Sequence, residues 1–273
     1  MTNKTADLAS DLKVRHRAMW ASGDYPAVAT QVIAGLGPTL VEAVGVRAGE
    51  VVLDIAAGSG NASIPAAKKG AEVVASDLTP ELFDVGRQLA AEERVELSWR
   101  EADAESLPFA DSSFDVVMSC VGVMFAPHHQ ESADELIRVC RPGGRIGLIN
   151  WTPTGFIGRM FATMKPYAPA PPPGAQPPPL WGNEEHLGTL FADRISELST
   201  TRQTLEVDRF ESGEEFRDFF KATYGPTIAV YRNISGDAEA TGSLDQALAA
   251  LADDALSDGV MKWEYLMVTG VVR

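Results

Sequence analysis

At 273 residues, with 45% apolar and 22% charged residues, the chain carries enough hydrophobic material for a full core, which excludes a disordered polymer or a scaffold that needs staples. Its formal charge of -15 at pH 7 argues against nucleic acid as a partner, because phosphate binding rests on concentrated basic surface. Only two cysteines, Cys120 and Cys140, are present, and the four histidines have no cysteine cluster beside them, so no metal is expected. The charged start from Met1 to Trp20 holds no apolar signal core, and no stretch reaches the roughly 18 residues of a membrane span; a cytoplasmic protein with reduced thiols, without stable membrane insertion, is expected.

Residues 1–45 read as two or three helices. Leu8, Leu12, Arg15 and Met19 share one helical face, Val28 to Val44 supplies another, and Gly23-Asp24-Tyr25-Pro26 breaks them. This leader suits either a lid or a plain packing layer. The run Val51, Val52, Leu53, Ile55 is short, apolar and β-branched, as a buried parallel strand is. A helix over residues 62–69 follows, which Asn61 is placed to cap. Glu72 to Asp77 is the second strand, Thr79-Pro80 opens the next helix, and Val95, Leu97, Trp99 alternate as the third strand. Phe114 to Cys120 is the fourth strand. A helix over residues 130–140 then stops at Pro142-Gly143-Gly144, and Arg145 to Trp151 is the fifth strand.

The second half differs. Residues 165–181 hold eight of the 17 prolines, giving a stiff, extended connection that either packs across the site or offers a proline tract to a partner. Ser199 to Phe210 alternates as a strand. Ser212 with Glu215, and Ser243 with Gln246, form capping boxes for two helices, and Trp263 to Val272 is the final strand.

Within this series the stretch Asp54-Ile55-Ala56-Ala57-Gly58-Ser59-Gly60 is the chemical signal. Gly58 and Gly60 allow a tight strand-to-helix turn that brings backbone close to a nucleotide-like ligand at the carboxyl end of the strand. A dinucleotide fingerprint wants glycine or alanine where Ser63 stands, and Asp54 is awkward for a pyrophosphate. A cationic ligand such as S-adenosylmethionine fits better. The turn taken alone also leaves open a ligand-free fold element or an NAD(P)-dependent oxidoreductase.

Taken together, Asp54 with its glycines, Asp77 ending the second strand, Asp103 after the third, Leu107-Pro108-Phe109, Phe114-Asp115-Val116-Val117 and Arg141-Pro142-Gly143-Gly144 resemble a class I S-adenosylmethionine-dependent methyltransferase. They look most like the ubiquinone and menaquinone type of small-molecule methyltransferase, over residues 47–151. The resemblance implies an α/β, doubly wound, seven-stranded, mostly parallel Rossmann-like sheet with an antiparallel final hairpin. It further implies an N-terminal lid (1–45), a cofactor core (46–152), and an insertion between the fifth and sixth strands within residues 153–273. Asp54 would help hold the amino acid end, Ala56, Gly58 and Gly60 would pass beneath the cofactor, and Asp77 would accept the ribose hydroxyls. Leu78 would pack on adenine, Asp103 and the Ala104 amide would read its edge, and carbonyls near Cys120 and Val121 would face the ammonium. Ala56 departs from the commoner glycine.

A substrate pocket is expected from Tyr25, Met124, Trp181 and Tyr224, although the last two also suit core packing. If the acceptor must lose a proton, His128 and His129 beyond the fourth strand are the candidate bases; a Pro-His-His helix entry with a solvated imidazole is the plainer reading. The acceptor atom and the oligomeric state stay open. A non-catalytic S-adenosylmethionine-binding scaffold is the third alternative.

Overall fold

The computed structural model describes residues 2–273, with side chains from residue 11 onward, so the expectation for the Leu8 side chain lies outside the described residues. Three helices lead: α1 (Thr2–Trp20), α2 (Tyr25–Gln31) and α3 (Leu36–Val44). The break before α2 is an N-cap in which the Asp24 carboxylate accepts the Ala27 amide, with Pro26 in the first turn. The buried face of α3, Leu36, Leu40, Val41 and Val44, packs against the sheet at Gly147, where a Cβ would come within 2.8 Å of Val44 Cβ.

Strands and helices then alternate: β1 (Val51–Ile55), α4 (Ser63–Lys68), β2 (Glu72–Asp77), a 3-10 turn at Pro80–Leu82, α5 (Phe83–Glu92), β3 (Ser98–Glu101), β4 (Phe114–Cys120), α6 (His129–Val139) and β5 (Cys140–Trp151). These five strands pair in parallel in the order β3-β2-β1-β4-β5. The central pair is sealed by helices on both faces, which explains why Val52, Leu53, Val116, Val117 and Met118 are all fully buried. Two local expectations fail. The Val95 amide closes the end of α5 on the Ala90 carbonyl, so β3 starts three residues late. Asn61 donates its side-chain amide to the Ile33 carbonyl and leaves α4 without a side-chain cap.

After β5 come α7 (Phe156–Met164), 3-10 turns at Lys165–Tyr167 and Pro178–Gly182, α8 (Glu184–Phe191), β6 (Ile195–Val207), α9 (Gly213–Thr223), α10 (Gly225–Asn233), α11 (Ala238–Ala255), β7 (Leu256–Ser257) and β8 (Val260–Val272). The last strand enters the sheet between β5 and β6, antiparallel to both. The two-residue β7 folds back on β8 and brings the total to eight strands where seven were expected. Ser212 caps α9 as expected, accepting the Glu215 amide. Ser243 does not start a helix: Asp237 caps α11 earlier by accepting the Ala240 amide, and the chain runs through Ser243 without a break.

Much of the Phe-Asp-Val-Val and Arg-Pro-Gly-Gly signature is a latch at the bottom of the sheet. The Asp115 carboxylate accepts the Val51 amide at 2.8 Å and pairs with Arg141, and both partners hold it below the usual carboxylate range. Arg145 donates to the carbonyls of Val44 and Gly45 and pairs with Glu50, tying α3 to β5. Among the described residues no single helix is long and apolar enough to cross a membrane; α2 and α3 pass that test only as a pair bent by 71°.

Candidate active site

The carboxyl ends of β1, β2 and β4 and the loop after β3 converge on one open cleft. At the end of β1 the chain turns through two left-handed residues, Ala56 (φ 54°) and Gly58 (φ 57°). Ala56 is a non-glycine residue in that region, which accounts for the usual preference for glycine at this position. Its carbonyl oxygen lies 2.4 Å from where a Cβ on Gly122 would stand, so Gly122 is what lets the loop after β4 close over it.

The Gly58 amide donates to Asp77 Oδ2 and the Thr79 amide to Asp77 Oδ1, each at 2.8 Å. Asp77 therefore builds the turn as well as facing the cleft. Burial raises its carboxyl against the opposing pull of these bonds. Asp54 lies one layer deeper, 1% exposed, and accepts the Ser63 hydroxyl on Oδ2 at 2.6 Å. Its Oδ1 has no partner among the described residues. Burial, with the charge of Asp77 adding to it, pushes the Asp54 carboxyl up to about 7.

Of the residues expected to hold a cofactor, Ala56, Gly58, Asp77, Leu78, Asp103, Ala104 and Val121 line one cleft. Asp54, Gly60 and Cys120 do not line it. Gly60 (φ 91°) is instead needed because a Cβ there would come within 3.0 Å of the Trp99 ring, which Gly86 also accommodates. Cys120 is buried and faces the core, although Val121 beside it turns into the cleft at φ 48°.

Of the expected substrate and base residues, only Tyr25 reaches the cleft, its ring against Gly58. Tyr224 walls a second chamber behind it. Met124 and Trp181 are fully buried away from both, Trp181 between His129 and Phe191. His129 is also fully buried, Nδ1 2.9 Å from His186 Nε2, and desolvation with the His186 charge lowers it to about 4. His128 binds Glu105 at 3.0 Å, and that carboxylate raises it, which favours the cation over a proton acceptor. Neither imidazole lines the cleft. Glu105, His128 and Glu131 bring ligand-type atoms within 4.8 Å of one another, and the Lys13 ammonium already pairs with Glu105.

Sequence reasoning missed a wall from α1. Lys13, His16 and Trp20 lie at helical spacing and all line the cleft, and burial lowers His16. Lys13 Nζ sits 2.8 Å from Asp103 Oδ1, while Arg17 pairs with Glu81 and Glu101. That spacing was the available signal.

S-adenosylmethionine fits this donor set. A buried carboxylate with a free oxygen beneath a cleft edged by two more carboxylates suits a cationic ligand with hydroxyls and an exocyclic amine, and opposes a pyrophosphate. A methyltransferase-domain family model matches residues 53–148. An uncharacterised protein of Mycobacterium tuberculosis is 53% identical over 254 residues, 93% of each chain. The ubiquinone/menaquinone biosynthesis C-methyltransferase UbiE of Zymomonas mobilis is 30% identical over 179 residues, 64% of this chain and 67% of that protein. The crystal structure of Bacillus subtilis YcgJ shares the fold, with a TM-score of 0.58 over 87% of this chain and 97% of that one at 18% identity. A carboxylate-edged cleft at the strand ends, on a sheet of this order and in a chain with these relatives, places the protein in the class I S-adenosylmethionine-dependent methyltransferase family.

Proposed function

We propose that the cleft binds S-adenosylmethionine with adenine at Asp103, Ala104 and Leu78, ribose at Asp77, and the methionine end past Gly58, Ala56 and Val121 toward Asp54, and that the acceptor is a small molecule. The two carboxylates that line the cleft, Asp77 and Asp103, carry this reading, and beneath them the Asp54 Oδ1, without a donor among the described residues, adds to the pull on a cationic group. When bound, the donor would supply a methyl group activated on a sulfonium, to be taken by an acceptor held in line with the carbon–sulfur bond while the neutral thioether leaves. Asp77 anchors the turn and orients what lies on it, while Tyr25, Trp20 and Phe125 give the cleft apolar walls that exclude water. Positioning carries the transfer in this reading, and oxygen, nitrogen and carbon acceptors all suit it.

The net charge of -15 supports a neutral or cationic small acceptor over a nucleic acid. Two buried, unpaired thiols support a cytoplasmic setting. Calorimetry with S-adenosylmethionine and S-adenosylhomocysteine tests the cofactor placement, and a donor-labelled methyl-transfer screen over quinols, phenols, amines and lipids tests the acceptor class. Saturable binding of both, with label in a small product, is expected. Binding of NAD in their place would overturn the reading.

A further inference from the structure

The stripe that α1 turns toward the cleft runs along its length. At one end the Lys13 ammonium reaches Asp103, where the adenine edge is proposed to lie. About 10 Å further along the helix axis the Trp20 ring meets Phe125 and Tyr25 edge to face, and the Tyr25 ring lies against Gly58. His16 stands between these ends, half-buried, and among the described residues it is the one histidine that lines the cleft. The charged groups around its imidazole are Lys13 and Arg15 from α1 and Asp103 and Glu105 from the loop after β3. Both carboxylates are already engaged, Asp103 by Lys13 and the Glu105 amide, Glu105 by Lys13 and His128. Arg17 turns out to Glu81 and Glu101, the end of β2 contributes Asp77 to the cleft, and the junction of α9 and α10 presents the Tyr224 ring to Trp20.

From this arrangement we infer that His16 packs on the bound cofactor as a neutral imidazole and, once protonated, turns the cleft against the sulfonium donor and toward its neutral thioether product; this rests on the cofactor placement proposed above. S-adenosylmethionine and S-adenosylhomocysteine share adenine, ribose and the amino acid end. They differ at sulfur, by a methyl group and a positive charge, so a cation added to the wall of the cleft repels the first and leaves the second nearly untouched. Taking up a proton gains His16 no ion pair, because the carboxylates beside it are occupied, and it sets a second cation next to Lys13. Burial and the Lys13 charge lower it accordingly, which keeps the ring neutral around neutral pH. The neutral ring offers the cofactor a flat apolar face and a nitrogen that accepts a hydrogen bond. Above the titration the cleft loads donor, and below it the cleft retains spent product.

The test titrates S-adenosylmethionine and S-adenosylhomocysteine separately into the full chain by calorimetry between about pH 8 and about pH 5. In parallel, peptide mass spectrometry follows the carbethoxylation of His16 by diethyl pyrocarbonate in the wild type. S-adenosylhomocysteine is expected to slow modification of His16 and to leave that of His186 unchanged. As pH falls, the preference for S-adenosylmethionine over S-adenosylhomocysteine should drop about three- to fivefold further in the wild type than in His16→Gln, the scale of one like charge across a partly solvated cleft. His16→Lys carries its charge throughout and should show the reduced preference already at about pH 8. Protonation of Asp54 and Asp77 acts in all three proteins, so the difference between them isolates residue 16. Binding of S-adenosylhomocysteine reports a folded cleft in each variant, and the carbethoxylation needs no variant. An unprotected His16, or a preference that changes equally with pH in the wild type and His16→Gln, would overturn this inference and leave the cofactor placement standing. Failure of both ligands to bind the wild type would overturn the placement and the inference together.

Discussion

Lys13 Nζ lies 2.8 Å from Oδ1 of Asp103, which sets the ammonium of the N-terminal helix on the carboxylate assigned to the adenine edge. The same ammonium reaches Glu105, whose other oxygen accepts the His128 amide. In the proposed cofactor placement an adenine amine at Asp103 competes with Lys13 for that carboxylate while Glu105 keeps the lysine.

Removing that competitor should strengthen cofactor binding. Lys13→Met is expected to raise S-adenosylhomocysteine affinity by about two- to fivefold at low ionic strength, the scale of a partly exposed ion pair. Wild-type affinity should rise with moderate salt, because screening weakens the pair, and the variant should lose that rise. Calorimetry at two ionic strengths decides it; weaker binding in Lys13→Met would instead make the lysine part of the cofactor grip.

Asp77 separates into two roles by substitution. Asp77→Ala strips acceptors from the Gly58 and Thr79 amides, so both stability and cofactor affinity should fall. Asp77→Asn retains one carbonyl oxygen and should recover part of the thermal stability. Affinity should still drop by about 1.5–3 kcal/mol in either variant, the scale for hydrogen bonds to a charged group. Melting curves alongside calorimetry test the split, and undiminished affinity in Asp77→Asn would remove the ribose assignment.

At the crossing of the loops after β1 and β4 the constraint is steric. Gly122→Ala should destabilise the protein by about 1–3 kcal/mol, because the new Cβ meets backbone that cannot swing aside. Ala56→Gly should be neutral or stabilising by up to about 1 kcal/mol, since it relieves a left-handed alanine. The double variant should not be rescued, because the obstructing atom is the carbonyl oxygen of residue 56 and stays in place. Chemical denaturation of the three proteins is the measurement; full rescue would show that the methyl was the obstacle.

Asp54 makes stability depend on pH in an unusual direction for an aspartate. Its folded carboxyl titrates near 7 against 3.8 for the ordinary group, so the native state binds the extra proton between those values. The stabilisation is fully present below about pH 4 and is lost as pH rises toward 7. Asp54→Asn should therefore match the wild type near pH 4 and exceed it above pH 7 in the ligand-free state, with Ser63 still donating to the side-chain oxygen. Urea denaturation across this range checks it, and a gap that does not grow with pH would sink the idea.

The parts of the site that were legible in the chain are those whose backbone conformation the residue type dictates. Gly58 and an aspartate at the end of β2 announce themselves because a left-handed turn and its carboxylate partner admit few alternatives. Lys13 and His16 did not, because polar residues on one helical face ordinarily face water, and only the docking of α1 turns them inward. Trp181 and His129 misled for the opposite reason. Position after a strand puts His129 near the strand ends without saying which face it takes, and Trp181 follows the core-packing alternative; both pack into the core beneath α8. Ser243 carries a sound capping pattern that an earlier cap at Asp237 overrides.

The insertion of β8 between β5 and β6 gives the cleft and the far side of the sheet different birthdays during synthesis. Every wall of the cleft lies at or before Pro127, and strands β1 to β4 pair among residues 51–120. The chamber waits for Phe220, Tyr224 and Trp263, and β5 waits for β8 to cover its edge, pairing Arg145 with Val271. A nascent chain can thus pair β1 to β4 while Thr223, Tyr224 and Gly225, on which the end of α1 and the start of α2 dock, are still missing and one sheet edge is bare, the interval in which strand edges recruit wrong partners. Donor captured by the emerging amino-terminal half would favour that half by mass action and act as a folding ligand before it acts as a reagent.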